Sequence, residues 1–578
     1  MALTPRSLPA PPLARNLCPP SRLVGAALAI SLGWLGAIAA PGRAAERIYA
    51  TYGPLGMSLA IESLENFAAT GELDTAMRFY ARFFDGDRLG RLRNLLRDRV
   101  EVSPLALSRF LSSPQGEILV RQLARSIRTR SGAGSLPALR AALVLAAASP
   151  EGLTLLNALK FYPTPTIQLD LNGTVGIFRE IEAAVVDQAL ALDAIIAAAI
   201  AEQQAEQTTD PTHPQPLPPL TILGPNAWRT RTLSVYAPHR QAPIFADLYW
   251  PAEATGRVPV VLISHGLGSE RATFAYLARH LASHGFAVVL PEHPGSNQTR
   301  LSDLLDGRAN EVADPLEFVH RPRDLSILLD ELAASGIPDR TFRGQLDLGH
   351  VGVIGQSFGG YTALAIAGAT LNFGQLERDC RPDTLPPNPS LLLQCRALVA
   401  RNLPQPPNSN SNADANPDRL SLRDKRVAIA IAVNPITSSL FGTSGLNDLA
   451  VPSAIIASSE DAIAPMLPEQ IQPFARLDRP DKYLLVALGS THLSFLGSTG
   501  NETIQLPADL LGTRPDLART YLSAYSLALL RRYLNDDPRA IAHLTSTAIA
   551  RLARPELPLY GLRRLSAIDL PKPQQLTR

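Results

Sequence analysis

The chain has 578 residues, of which 46% are hydrophobic and 18% are charged, so it is long enough for two or more globular domains with sizeable cores. Its formal net charge is +2, and no Lys/Arg-rich run carries interleaved aromatic residues, which excludes the electrostatic footprint of a nucleic-acid-binding protein. We therefore expect a large soluble protein that binds no nucleic acid.

An export segment is predicted at the start of the chain, over residues 1–45. Three arginines precede an 18-residue apolar run at residues 23–40, and small residues near Ala44 suggest a cleavage site. Such a signal would send the protein to the periplasm or outside the cell. The alternative is an uncleaved segment that associates the protein with a membrane, because 18 apolar residues are just enough to span a bilayer.

Helical spacing of apolar residues dominates from residue 46 to residue 204. Ser103, Ser113 and Ser149 each precede a proline, which is typical of a serine N-cap followed by proline at the first helical position. The region contains no histidine, no metal-ligand spacing and no phosphate-binding loop. We therefore expect an all-α domain of unknown function that modulates access to the domain that follows and supplies no chemical group.

A Gln- and Pro-rich linker over residues 205–220 is predicted to join this domain to a second domain at residues 221–555. Two alternating runs, Arg231–Tyr236 and Ile244–Trp250, predict antiparallel strands at its start. The apolar run Val258–Ser264 predicts a further strand. Strands and helices then alternate, which indicates an α/β domain with a mostly parallel, doubly wound sheet.

The most informative motif reads Gly355-Gln-Ser357-Phe-Gly359 and fits G-x-S-x-G. A short apolar run precedes it and a helical pattern begins at Tyr361. A serine on a sharp strand-to-helix turn has strained backbone angles and an exposed hydroxyl, and glycines flank it because a Cβ there would clash. We predict a nucleophile elbow with Ser357 as the nucleophile; the alternative is a Gly-rich turn with an incidental serine.

An oxyanion hole is predicted from two backbone N–H groups. One belongs to Leu267, in the His-Gly-Leu-Gly turn that leaves the strand ending at Ser264. The other belongs to Phe358, directly after the predicted nucleophile. His265, in the same turn, is of a residue type that often acts in catalysis, but we expect it to orient the loop.

An insertion rich in Pro and Asn interrupts the catalytic domain at residues 371–426. We expect it to be loop, partly disordered, and able to rim the site as a lid. Cys380 and Cys395 lie within it, 15 residues apart, and no other cysteine follows the export segment. In an oxidising compartment they are predicted to form a disulfide, with two unpaired thiols as the alternative.

A carboxylate that orients the catalytic base is predicted at Asp461, in the loop that follows the strand-like run Val451–Ala457. Glu460 is its rival, one residue away. Asn434, after the preceding predicted strand, is the weaker alternative, because an amide cannot stabilise an imidazolium by charge.

The base is predicted to be His492, in the turn after the strand-like run Lys482–Leu488. The only other histidine that follows Ser357 is His543, which lies in a helical pattern and is expected to be a surface or packing residue. A loop at the carboxyl end of a strand is where an α/β fold places its chemistry. Residues 556–578 are expected to form a C-terminal tail.

From about Thr230 to Arg532 the sequence resembles the α/β-hydrolase superfamily, in which the chain order is nucleophile, acid, histidine. The motifs GQSFGG and HGLG, the segment Pro291–Asn297 and the helix start Arg321-Pro-Arg-Asp324 are most similar to dienelactone-hydrolase and platelet-activating-factor-acetylhydrolase-like esterases. The N-terminal region resembles an uncharacterised domain found before the catalytic domain of some secreted bacterial hydrolases.

The resemblance implies an α/β-hydrolase fold and, together with the motifs, a secreted serine hydrolase of carboxylic esters. Its expected substrates are lipid, phospholipid or small-molecule esters, and no metal or organic cofactor is predicted. One alternative is a peptidase or an acyltransferase on the same fold. Another is a non-catalytic binding protein on a hydrolase scaffold.

Overall fold

The computed structural model of the protein describes residues 45–52, 55–82, 86–128, 135–209, 219–381, 388–403, 416–500, 508–565 and 570. The predicted export segment or membrane anchor, apart from its last residue, lies outside the described residues. Most of the predicted linker, from residue 210 to residue 218, also lies outside them.

The N-terminal region contains four short strands and eight helices among its described residues. The strands are β1 (Arg47–Tyr52), β2 (Leu55–Ala60), β3 (Ile127–Arg128) and β4 (Thr166–Asp170). The helices are α1 (Ile61–Thr70), α2 (Thr75–Ala81), α3 (Gly86–Arg97), α4 (Pro104–Ser112), α5 (Pro114–Ser126), α6 (Ser135–Ala148), α7 (Leu155–Lys160) and α8 (Leu171–Thr209).

The prediction that this region is all helical is wrong, because its four strands form a sheet in the order β2-β1-β4-β3. Strand β1 pairs antiparallel with β2 and parallel with β4. Ile48 and Ile167 point into the core that the helices also line. The strands are only two to six residues long, so their period-two pattern is weak beside the helical periodicity of the neighbouring segments.

Two of the three predicted serine caps are present. The side chains of Ser103 and Ser113 accept hydrogen bonds from the backbone N–H three residues on, at the starts of α4 and α5. Ser149 instead follows α6, where its hydroxyl donates to the Ala146 carbonyl. Thr154 caps the next helix, α7, because a further turn separates Ser149 from it.

The C-terminal part contains the main sheet. Its strands are β5 (Trp228–Ala237), β6 (Ala242–Pro251), β7 (Thr255–Ser264), β8 (Ala287–Pro291), β9 (Arg343–Gln356), β10 (Leu371–Asn372), β11 (Arg419–Leu420), β12 (Val427–Val433), β13 (Ser453–Ser458), β14 (Lys482–Ala487) and β15 (Leu559–Leu562). Its helices are α9 (Ala275–Ser283), α10 (Gln298–Asp306), α11 (Glu317–Ser335), α12 (Phe358–Ala367), α13 (Phe373–Asp379), α14 (Leu391–Gln394), α15 (Ser438–Leu446), α16 (Gln472–Arg476), α17 (Ala508–Leu511), α18 (Pro515–Leu534) and α19 (Ser546–Leu552).

Nine of these strands form one sheet in the order β5-β6-β8-β7-β9-β12-β13-β14-β15. The six strands from β8 to β14 run parallel, and the antiparallel pairings involve only β5, β6 and β15 at the two edges. Val260 and Leu262 face one apolar core, whereas Val261 and Ile263 face the other. Helices therefore cover both faces, and the predicted mostly parallel, doubly wound sheet is confirmed.

The expected C-terminal tail is wrong over residues 557–565. Strand β15 pairs antiparallel with β14 and completes the edge of the main sheet. The leucines of this segment are buried: Leu557, Leu559, Leu562 and Leu565. Two prolines, Pro555 and Pro558, stand just before the short apolar run and hide this edge strand in the sequence, because proline is rare inside a strand.

Helix α8 runs past the predicted domain boundary at residue 204 and packs against the main sheet. Ala191, Ile195 and Ala199 share an apolar core with residues of β13 and β14. The Glu202 carboxylate accepts hydrogen bonds from backbone N–H groups just after β15. Within the described ranges, Glu182–Thr208 is the one stretch that is long and apolar enough to cross a membrane. Length and composition alone are weak evidence for a membrane-spanning helix.

The insertion at residues 371–426 is more ordered than expected in its described parts. It contains β10, β11, α13 and α14, and a disulfide joins Cys380 to Cys395. The buried carboxylate of Glu469 accepts a hydrogen bond of 2.8 Å from Gln394 Nε2 and so ties the insertion to the rest of the domain. This contact spans 75 residues, so composition alone could not predict it.

Strand β15 generates the first testable prediction. Leu562→Ala should lower the free energy of unfolding by about 2–5 kcal/mol, because a buried leucine leaves a cavity when it is truncated. The matched control is Leu223→Ala, at a side chain that is 56% exposed, and it should change stability by less than about 0.5 kcal/mol. Urea denaturation measures both, and equal effects would contradict a structural role for residues 557–565.

Candidate active site

Ser357 sits on a strained turn between β9 and α12, with φ of 57° and ψ of −115°. A non-glycine residue rarely adopts a positive φ, and such strain persists only where the surrounding structure enforces it. Two close backbone approaches do so here. A Cβ added to Gly355 would lie 1.9 Å from the Gly359 carbonyl oxygen, and one added to Gly359 would lie 2.0 Å from the Ser264 oxygen.

Ser357, His492 and Asp461 form one chain of hydrogen bonds. His492 Nε2 lies 2.8 Å from Ser357 Oγ, and His492 Nδ1 lies 2.7 Å from Asp461 Oδ2. The three residues follow β9, β14 and β13 respectively, so they meet at the carboxyl edge of the parallel strands. All three side chains are buried, and Ser357 is 7% exposed.

The two candidate acids, Asp461 and Glu460, lie side by side in the loop after β13 but have different surroundings. Asp461 is buried, and its Oδ1 accepts hydrogen bonds from the backbone N–H groups of Ile463 at 3.0 Å and Ala464 at 2.7 Å. Gln470 Nε2 donates to Oδ2 at 3.0 Å. Glu460 is exposed. The structure therefore brings Asp461, and not Glu460, to the imidazole.

Two amide side chains hold the backbone of the histidine loop. Gln356 Nε2 donates to the His492 carbonyl at 3.0 Å, and Asn434 Nδ2 donates to the same oxygen at 3.2 Å. Asn434, the weaker acid alternative, is buried with φ of 43° and contacts the backbone of His492 rather than its ring. Sequence reasoning missed this role of Gln356, although the residue stands inside the G-x-S-x-G motif.

The predicted oxyanion loop touches the serine turn. A Cβ added to Gly266 would lie 3.4 Å from Ser357 Cβ and 2.4 Å from Gln356 Oε1, so a larger residue there would displace the Gln356 side chain. Phe358 is the first residue of α12, where a helix leaves backbone N–H groups without intrahelical acceptors. Turns, loops and helix caps in the described part of the chain contain no backbone hydrogen bond that is donated by the N–H of Leu267 or of Phe358.

His265 lies beside the oxyanion loop and is buried. Its Nε2 accepts from the His293 N–H at 3.1 Å, so its proton is on Nδ1, which donates to the Gly266 carbonyl at 2.8 Å. Burial, and then the charge of Arg321, hold the pKa of His265 well below its usual range. A neutral imidazole bound to its own loop fits the expected orienting role.

Comparison with known proteins places this sheet and site in a family. The family profile described as "Alpha/beta hydrolase family" matches residues 260–555, which is 296 of 578 residues. The chain belongs to the alpha/beta hydrolase family. The predicted family and fold are therefore confirmed, and the protein is a hydrolase.

Two further matches bear on the rest of this hydrolase. A profile described as "Alpha/beta hydrolase of unknown function" matches residues 44–170, in the N-terminal region. The platelet-activating factor acetylhydrolase of Cavia porcellus is 28% identical over 142 residues, which cover 20% of this chain and 33% of that protein. The match thus spans about a third of the relative's length.

Among the described residues, no group of three or more His, Cys, Asp or Glu side chains is arranged to hold a metal ion. The polar groups that meet at the carboxyl edge of the sheet are instead the hydroxyl, imidazole and carboxylate of Ser357, His492 and Asp461.

The buried His293 generates a prediction on acid stability. Burial, and then the charge of Arg321, lower its pKa to about 4, although Asp324 accepts from its Nδ1 at 2.7 Å. The folded hydrolase therefore keeps His293 neutral where the unfolded chain, with a pKa of about 6.5, binds a proton. Stability supplied by the neutral form is present above pH of about 6.5 and is lost as the pH falls towards 4.

As the pH is lowered from about 7.5 to about 5, the free energy of unfolding of the wild type should accordingly fall. This fall should be about 2 kcal/mol larger than the fall in His293→Gln. Urea denaturation of both proteins across this range measures the difference. A difference that stays constant with pH would contradict a neutral, buried His293.

Proposed function

We propose that this hydrolase cleaves carboxylic esters, with Ser357 as nucleophile, His492 as general base and acid, and Asp461 as the orienting carboxylate. The observation that carries the proposal is the chain of two hydrogen bonds, of 2.8 and 2.7 Å, that links the three side chains. A hydroxyl is a poor nucleophile alone, and this arrangement is the one that activates it.

In the first half of the reaction, Ser357 Oγ attacks the ester carbonyl carbon and its proton passes to His492 Nε2. The carbonyl oxygen becomes an oxyanion, which the Leu267 and Phe358 N–H groups bind. Asp461 accepts the Nδ1 proton in a hydrogen bond, which keeps Nε2 available and stabilises the imidazolium. The imidazolium then protonates the leaving alkoxide, and an acyl-serine remains.

In the second half, a water molecule takes the place of the leaving alcohol. His492 removes a proton from that water as its oxygen attacks the acyl carbon. The same two N–H groups bind the second oxyanion, and the proton on His492 returns to Ser357 Oγ as the carboxylic acid leaves. The cycle needs no group beyond the residues named and water.

Acyl esters of lipids or phospholipids are the substrate class that we propose. The name of the guinea-pig relative describes an enzyme that removes an acetyl group from platelet-activating factor, and the match to it supports an ester over an amide. A peptidase or an acyltransferase on the same fold is the runner-up. A binding protein on an inactive scaffold is less favoured, because the buried hydrogen-bond chain from Ser357 is continuous.

We propose that the N-terminal region limits access to the site. Helix α4 packs against α10, which follows the loop after β8. Gln188, on α8, donates to the Ser459 carbonyl at 3.0 Å, two residues before Asp461. These contacts support a helical cap above the carboxyl edge of the sheet, and such a cap would exclude water from Ser357.

An exported location is proposed on two grounds. One is the predicted signal at residues 1–45, whose apolar run would otherwise act as a membrane anchor. The other is the disulfide between Cys380 and Cys395, because disulfides persist mainly in oxidising compartments such as the periplasm.

The roles of the acids generate the test of the proposed function. Asp461→Asn should lower kcat for p-nitrophenyl acyl esters by about 10⁴-fold, because an amide cannot hold the required imidazole tautomer. The matched control is Glu460→Gln, which makes the same chemical change one residue away at an exposed side chain and should change kcat less than about threefold. Ser357→Ala supplies the floor, about 10⁶-fold below the wild type.

Steady-state kinetics on a series of acyl chain lengths measures all three variants. A larger loss in Glu460→Gln than in Asp461→Asn would contradict the assigned acid. Full activity in Ser357→Ala would contradict the assigned nucleophile, and hydrolysis of peptides but not esters would favour the peptidase.

A further inference from the structure

Arg321, which the mechanism above does not use, lies fully buried beneath the oxyanion loop. It is one of the largest buried side chains in the described residues, and it stands in the first turns of α11. Its Nη1 donates to the His265 carbonyl at 2.6 Å, and its Nη2 lies 3.4 Å from the Gly266 carbonyl. Its guanidinium carbon also lies 4.4 Å from the centre of the Phe358 ring.

The buried guanidinium of Arg321 has a carboxylate nearby that compensates its charge, and it stays protonated. Glu317 Oε2 lies 3.5 Å from Arg321 Nε, and Ser296 Oγ accepts from the same nitrogen at 2.9 Å. Burial lowers the pKa of Arg321 to about 10, and the carboxylate of Glu317 opposes that shift. The side chain is therefore a cation at neutral pH. Burying a cation is costly, so its contacts with the loop call for a functional explanation.

The geometry of the peptide bond connects Arg321 to the oxyanion donors. In a trans peptide, the carbonyl of one residue and the N–H of the next point in opposite directions. The Gly266 carbonyl faces the guanidinium and His265 Nδ1, so the Leu267 N–H of the same peptide points away from them. The second predicted donor, Phe358, carries the ring that stacks on the same guanidinium. The Arg321 guanidinium therefore contacts both parts of the predicted hole, which are the Gly266–Leu267 peptide and the side chain of Phe358.

We propose that Arg321 is a positioning residue that fixes the two oxyanion donors, Leu267 and Phe358, with respect to each other. The inference rests on the proposed function of this site. Removing the guanidinium would leave substrate binding in place but slow both chemical steps, because each step forms an oxyanion that the two N–H groups must meet.

The test compares Arg321→Lys with a matched control, Arg240→Lys. Arg240, whose side chain is 7% exposed, also pairs with Glu317, donating to its Oε1 at 2.5 Å, and it donates to Asp324 Oδ2 at 2.6 Å. Among the described residues, Arg240 makes no hydrogen bond or ion pair with the oxyanion loop, so its replacement reproduces the loss of a buried ion pair alone. Thermal unfolding and circular dichroism establish that both variants of the full chain are folded.

Arg321→Lys should lower kcat for a p-nitrophenyl ester by about 10²-fold or more while KM stays within about threefold, as for the loss of one oxyanion donor. Arg240→Lys should change kcat by less than about fivefold. A trifluoromethyl ketone supplies a second readout, because Ser357 Oγ adds to its carbonyl carbon and the resulting oxyanion occupies the hole as the serine proton moves to His492. In Arg321→Lys, the inhibition constant of the ketone should rise by about the same factor as kcat falls. In Arg240→Lys, the inhibition constant should not rise in this way.

Unchanged kcat and ketone inhibition in a folded Arg321→Lys, or equal losses in both variants, would overturn the proposal. If Arg321→Lys does not fold, Ser296→Ala replaces it, because it leaves the guanidinium in place and removes a hydroxyl that accepts from Arg321 Nε and donates to Glu317 Oε2. It should lower kcat by about three- to tenfold at unchanged KM, and an unchanged kcat would overturn the proposal. A wild type that hydrolyses no ester would instead overturn the proposed function.

Discussion

The strained turn at Ser357 is the constraint on which the rest of the site depends. Three backbone segments converge there, and the space between them is too small for a Cβ at Gly355 or Gly359. Their contact holds the serine at a positive φ that it would not adopt in an ordinary turn. The hydroxyl is thereby carried to the carboxyl edge of the sheet, where the loops after β13 and β14 end. Without this turn, neither His492 nor Asp461 would have a hydroxyl within reach.

Side chains that carry no chemistry connect the parts of the site. Gln356 and Asn434 bind the backbone of the histidine loop, and Gln470 binds the acid. Arg321 does the same for the oxyanion loop, and its charge also favours neutral imidazoles at His265 and His293. Preorganised polar groups of this kind are what a hydrolase needs, because groups that are already oriented cost no rearrangement in the transition state.

Local pattern was sufficient to predict that Ser357, Asp461 and His492 lie together, because each stands in a loop directly after a recognisable strand. The parallel sheet followed from the same alternation of strands and helices. The parts that were predicted wrongly depend on pairing across long sequence separations. Strand β4 joins β1 across more than a hundred residues, and Leu562 pairs with Leu484 of β14 across 78 residues. The role of Arg321 depends on loop atoms 55 and 56 residues away, and no local signal in the sequence encodes such contacts.

The most direct test is a crystal structure of the hydrolase after reaction with a fluorophosphonate ester. This reagent loses fluoride as Ser357 Oγ attacks phosphorus, and the adduct mimics the tetrahedral intermediate. The account predicts a single phosphonyl group on Ser357 Oγ, with its phosphoryl oxygen about 2.7–3.1 Å from the backbone nitrogens of Leu267 and Phe358. An adduct on another residue, or a phosphoryl oxygen that contacts neither nitrogen, would contradict it.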